Sequence, residues 1–71
     1  MFTNAKHFAA RLSAVEKSLI LMASEDRLDW LFHNSHRAEF NLPENEAKCV
    51  FHQAVTIVGD EYTAKSNTAG F

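Results

Sequence analysis

Internal disulfides, glycine-rich loops and membrane-length apolar runs are all missing from this sequence. Among 71 residues there is one cysteine, Cys49, so no bridge can form within the chain and a disulfide-stapled secreted scaffold is excluded. The two glycines, Gly59 and Gly70, stand far apart and cannot make a loop that cradles a phosphate. One proline, Pro43, leaves most of the chain without a helix breaker. The longest apolar run, Leu19 to Ala23, is far too short to cross a bilayer. No unbroken apolar core of a signal peptide follows Met1-Phe2-Thr3-Asn4-Ala5-Lys6. The formal net charge of −2 gives no large field of either sign, against a strongly electrostatic binder of nucleic acid or membrane. A cytoplasmic, reducing location is the default expectation, and no cofactor is expected.

What the chain does have is apolar spacing of helical period, and six phenylalanines to anchor it. Phe8, Leu12, Val15, Leu19 and Met22 recur at steps of four, three, four and three, which predicts an amphipathic helix over residues 4–23. Thr3 or Asn4 can cap its start. Ile20 and Leu21 fall off that stripe, Leu21 by roughly 140° from its centre, so the end of the helix is apolar nearly all round. Ser24 caps a second helix over residues 25–40, whose start carries Glu25 and Asp26 and whose inner side is Leu28, Leu31 and Phe32. A single unbroken helix through Ser24 remains an alternative, because neither glycine nor proline enforces the bend. Asn41-Leu42-Pro43 is the clearest punctuation. A third helix over residues 43–58 follows, with Ala47, Val50, Phe51, Ala54, Ile57 and Val58 on its inner side and Gly59 as its stop. Val55-Thr56-Ile57-Val58 also has strand propensity, which makes that last turn the weakest part of the helix. The expected architecture is all-α: one domain over residues 1–64, three helices in a small bundle or an extended hairpin, and a flexible tail over 65–71.

Three constellations bear on function. His33-x-x-His36 and Cys49-x-x-His52 have the donor types and the i, i+3 spacing for zinc. However, Cys49 and His52 lie roughly 140–160° from the centre of the third stripe, so packing through the stripes points them away from the other pair. No metal is expected. Cys49 with His52 is also a poor nucleophile pair, with no third group to orient it, and a chain this short has little room for a water-excluding pocket; no enzyme is expected. Lys6, Arg11 and Lys17 against Glu16 give the first helix a local positive excess, and small dimeric helical hairpins can bind RNA through such a face. A helix-turn-helix at Asn41-Leu42-Pro43 is disfavoured, because its recognition helix would open with Glu44 and Glu46 against phosphates.

Trp30 lies roughly 160° from the centre of the Leu28–Leu31–Phe32 stripe, on the outer face of its helix. With Ile20, Leu21 and Phe40 it makes a candidate second apolar patch, more greasy surface than a chain this small can hide alone. The sequence therefore reads as a non-catalytic protein-binding module, an adaptor, inhibitor or regulatory accessory factor. Its expected partners are itself, as a homodimer, and another protein. The alternative is a nucleic-acid-binding regulator that uses Lys6, Arg11 and Lys17.

Overall fold

The computed structural model of the chain describes residues 3–69, and the side chains of residues 3–64. The fold is all-helical, and no strand forms among the described residues. Four α-helices appear where three were expected: α1 (Ala5–Arg11), α2 (Ala14–Met22), α3 (Glu25–Leu31) and α4 (Glu44–Ala69). A π-helical turn, Phe32–His36, and a 3₁₀ turn, Arg37–Glu39, carry the chain on from α3 toward Pro43.

The extra helix arises at Leu12–Ser13. Asn4 starts α1 by accepting hydrogen bonds on its side-chain oxygen from the backbone N–H groups of Lys6 at 2.8 Å and His7 at 3.2 Å. The helix ends after seven residues, when Leu12 turns extended at φ −68° and ψ 137°. Ser13 is extended too, and it restarts the helix with a capping box. The same device recurs at the next bend, where Ala23 is extended and the Ser24 hydroxyl accepts the Arg27 N–H at 3.2 Å. The bend anticipated at Ser24 is therefore present, and a second one precedes it by eleven residues.

α4 also departs from expectation. It begins just after Pro43, whose carbonyl accepts the Ala47 N–H at 2.8 Å. It then runs through Gly59 instead of stopping there. Gly59 does not take the positive φ that a glycine stop uses, and its carbonyl accepts the Thr63 hydroxyl at 3.0 Å, inside the helix. The strand-prone run at 55–58 is helical. The tail expected from residue 65 belongs to α4 as far as Ala69, and residues 70 and 71 lie outside the described part. A helix of this length rises about 39 Å, which accounts for the 43 × 22 × 17 Å shape.

The core is a phenylalanine cluster set against α4. Phe8 from α1, Phe32 from the π turn and Phe51 from α4 are fully buried, and Phe40 is nearly so. Ring centroids lie 4.8 Å apart for Phe8–Phe40 and 5.4 Å for Phe32–Phe51, in tilted arrangements that suit the ring quadrupoles. α4 contributes Ala47, Phe51, Ala54 and Val58, in steps of four, three and four, with Val50, Val55 and Ile57 partly buried beside them. Alanine at two of these positions lets α1 approach α4 closely. Each phenylalanine withdrawn from water contributes on the order of 2–3 kcal/mol, so four of them carry much of the stability.

Candidate interaction surface

The break at Leu12–Ser13 changes which side of α2 is inside. Phe8 and Leu12 are buried, as their stripe requires. Val15, Leu19 and Met22 continue the same 4-3-4-3 count, yet they are exposed to 69%, 48% and 87%. Ile20, off the stripe in sequence, is the core residue of α2. The reason is geometrical. Two extended residues between α1 and α2 reset the helical phase, so periodicity counted across them no longer marks one face.

Beside this outward stripe, Leu21 and Tyr62 stand exposed where α2 meets α4. They line shallow grooves with Ala14, Lys17, Ser18, Met22 and Val58. One edge is closed by Lys17, whose Nζ lies 4.0 Å from Glu61 Oε1. Around α2 the apolar surface thus runs from Leu21 past Ser18 and Met22 to Val15 and Leu19, over roughly 160° of the helix.

The patch anticipated from sequence is corrected in part. Ile20 and Phe40 are buried in the core and belong to no surface. Leu21 and Trp30 are exposed. Trp30 takes the Arg27 guanidinium over its ring, 4.5 Å from the centroid, and its carbonyl accepts Asn34 Nδ2 at 2.9 Å. The residues that spacing had assigned to the core, Val15, Leu19 and Met22, are the ones exposed next to Leu21. The Ser13-x-x-Glu16 capping pattern was the sequence signal for that reversal.

The three basic candidates do not share one helix. Lys6 and Arg11 are exposed on α1, with Arg11 in its last turn, where the helix dipole favours a cation. Lys17 is on α2 and faces Glu61.

The four metal-ligand candidates are not brought together. His36 is buried, its ring edge-on to Phe8 with centroids 5.2 Å apart and tilted against Phe51 at 5.7 Å. Its Nδ1 lies 3.2 Å from Glu39 Oε2 and its Nε2 lies 4.0 Å from Glu16 Oε2. His33 sits between Asp29 at 3.6 Å and Glu44 at 4.0 Å. Cys49 is exposed near Leu42, Asn45, Glu46 and Val50. His52 is exposed beside the Phe51 ring. Among the described residues no three His, Cys, Asp or Glu side chains are placed to hold one metal ion.

The titratable groups act instead as ties between elements. The Ser13 backbone N–H holds the Glu16 carboxyl below the usual glutamate range; partial burial opposes this, and the Ser13 hydroxyl and nearby His36 add to it. Asp29 is likewise held low, first by its 2.9 Å hydrogen bond from Lys48, which pins α3 to α4. Among the described residues no helix is long and apolar enough to cross a membrane. Comparison with known protein families, with curated proteins and with solved structures finds no match to this chain.

Proposed function

We propose that this chain is a small non-catalytic protein-binding module, an adaptor, inhibitor or regulatory accessory factor, that docks through the outer face of α2 together with Leu21 and Tyr62. The observation that carries this reading is the outward turn of Val15, Leu19 and Met22. A monomer gains nothing by keeping three large apolar side chains in water when a helix of the same length can carry polar ones. Their burial by a partner returns roughly 25 cal/mol per Å² of apolar area. The nearby charges are already committed, Lys17 to Glu61 and Glu16 to Ser13, so association through this face leans on apolar burial. A role without catalysis is supported by the use of the histidines and carboxylates described above: His36 reaches Glu16 of α2 and Glu39 of the 3₁₀ turn, and Asp29 of α3 pairs with Lys48 of α4.

A photo-crosslinking side chain placed at Met22 in the living source cell tests this directly. The expected outcome is discrete protein adducts from position 22 and none from the exposed control position Gln53. Equal, diffuse labelling from both positions, or none from either, removes the docking role.

A further inference from the structure

We propose that His36 is a proton-controlled clasp on α2: with both ring nitrogens protonated it ties the start of α2 to the π turn, and on loss of the second proton it releases that tie. The inference holds whatever covers the outer face of α2.

Position is the first ground. Among the described residues, His36 is the one polar side chain that is buried. Its ring lies inside the phenylalanine cluster, edge-on to Phe8 of α1 at 5.2 Å and tilted against Phe51 of α4 at 5.7 Å. A phenylalanine would fill the same space without the desolvation of two ring nitrogens. Packing alone therefore does not account for an imidazole at this place.

The carboxylates are the second ground. Each ring nitrogen faces one: Nδ1 lies 3.2 Å from Glu39 Oε2 of the 3₁₀ turn, and Nε2 lies 4.0 Å from Glu16 Oε2 of α2. α1 and α4 face the ring with Phe8 and Phe51, so the charges set against it are those of Glu39 and Glu16. A neutral imidazole donates from one nitrogen only. The closer carboxylate takes that proton, Nδ1–H to Glu39, and the bare lone pair of Nε2 is left toward Glu16. The imidazolium donates from both nitrogens and attracts both carboxylates. The second proton thus turns the Glu16 contact from repulsive to attractive and leaves the Glu39 bond in place.

Leverage is the third ground. Glu16 divides its oxygens: Oε1 accepts the Ser13 N–H at 3.1 Å, which closes the capping box of α2, and Oε2 faces His36. Ile20 is the one buried residue of α2, so a charge pair at its first turn is a sizeable part of what holds that helix down. The Glu16 carboxyl is held low first by the Ser13 N–H and, least among the causes, by His36, and such a coupling is reciprocal. The tie needs both charges and so exists in a window of pH. It is absent while Glu16 is protonated, present once the carboxylate forms, and lost again as the ring gives up its second proton. Histidine is the side chain that can set such an upper edge near neutral pH.

The test is a double-mutant cycle of His36→Phe and Glu16→Gln. The unfolding constants of the four proteins are measured in urea on both sides of the pH at which NMR of the ring shows His36 losing its proton. The cycle cancels the contributions of the exposed histidines, His7, His33 and His52. The coupling between positions 36 and 16 is expected to be about fivefold in the unfolding constant while the ring is charged, the upper range of a partly exposed ion pair, and to vanish once the ring is neutral. By the same linkage, the ring in Glu16→Gln is expected to lose its proton about 0.7 pH lower than in the parent chain. That second measurement decides the matter if His36→Phe fails to fold. A coupling that is absent or equal on both sides of the ring titration overturns the clasp and leaves His36 a packing residue. So does a ring midpoint unmoved by Glu16→Gln, or a ring that keeps one charge state from about pH 5 to about pH 9.

Discussion

Ser13 and Glu16 cap each other: the Ser13 hydroxyl accepts the Glu16 N–H at 3.1 Å, and the Glu16 carboxylate accepts the Ser13 N–H at 3.1 Å. This reciprocal pair opens α2 afresh only two residues after α1 has ended. It fixes where α2 starts, hence which of its side chains reach the core. Ile20 goes inward because of it, and Val15, Leu19 and Met22 go outward.

Ser13→Ala is expected to cost about 1 kcal/mol, the usual worth of a hydroxyl cap. In a chain of this size that lowers Tm by roughly 4–8 °C per kcal/mol. Ser13→Ala and Glu16→Ala are expected to be non-additive in a double-mutant cycle, because each removes the partner of the other. Denaturant or thermal unfolding followed at the helical band measures all three variants. Additive losses would mean that the two residues act separately.

The pH dependence of stability follows from the same pair. The folded Glu16 carboxyl is held below its unfolded value, so the fold favours the charged form. Its contribution is fully present above the unfolded glutamate range and is lost as pH falls through the folded value. Asp29 acts in the same direction but is exposed to solvent, and its share is small. Glu16→Gln is therefore expected to flatten the acid limb of a stability–pH curve while keeping an acceptor for the Ser13 N–H. The measurement is chemical unfolding at successive pH values from neutral down through the carboxylate range. An acid limb of unchanged steepness in the variant would assign it to other carboxylates.

What sequence could reveal here depended on whether one helix spanned the residues being counted. The α4 stripe of Ala47, Phe51, Ala54 and Val58 was legible because those residues sit on one uninterrupted helix against the phenylalanine cluster. Phe8 through Met22 showed an equally regular spacing, yet two helices share it, and the second half faces solvent. Period alone carries no information about a phase reset. Only Ser13-x-x-Glu16 does, and those residues pass as ordinary surface polar groups. Phe40 was misplaced for a related reason: it lies past a π turn and a 3₁₀ turn, where extrapolation of α-helical angles from Leu28 fails. Leu21 and Trp30 were legible as exposed, but the patch around Leu21 was assembled with two core residues and without the three that flank it. His36 had no readable sign of burial, since its partners Glu16 and Glu39 come from different elements.

Gly59→Ala is expected to stabilise the protein by roughly 0.5–1 kcal/mol. Gly59 lies inside α4 with a helical φ, and a Cβ built on it meets nothing within 4 Å. The substitution therefore removes backbone entropy from the unfolded chain without a steric cost in the fold. A rise in Tm of a few degrees checks it. A fall in Tm would mean that α4 ends or bends at Gly59 in solution, and with it Tyr62 would lose its place beside Leu21.

Nucleic-acid binding through Lys6, Arg11 and Lys17 is expected to be weak and non-specific. The three side chains are divided between α1 and α2, Lys17 is engaged by Glu61, and the whole chain is acidic. Two exposed cations on a short helix neutralise few phosphates, and such an interaction weakens steeply as salt rises. Fluorescence anisotropy with a labelled single-stranded RNA and a duplex DNA is expected to show any low-salt signal vanish by about 150 mM salt, where counterion screening is strong. The Lys6→Ala, Arg11→Ala, Lys17→Ala triple variant is expected to differ little from the parent chain at that salt. Saturable binding that persists at that salt and is abolished in the triple variant would establish a nucleic-acid face despite the split.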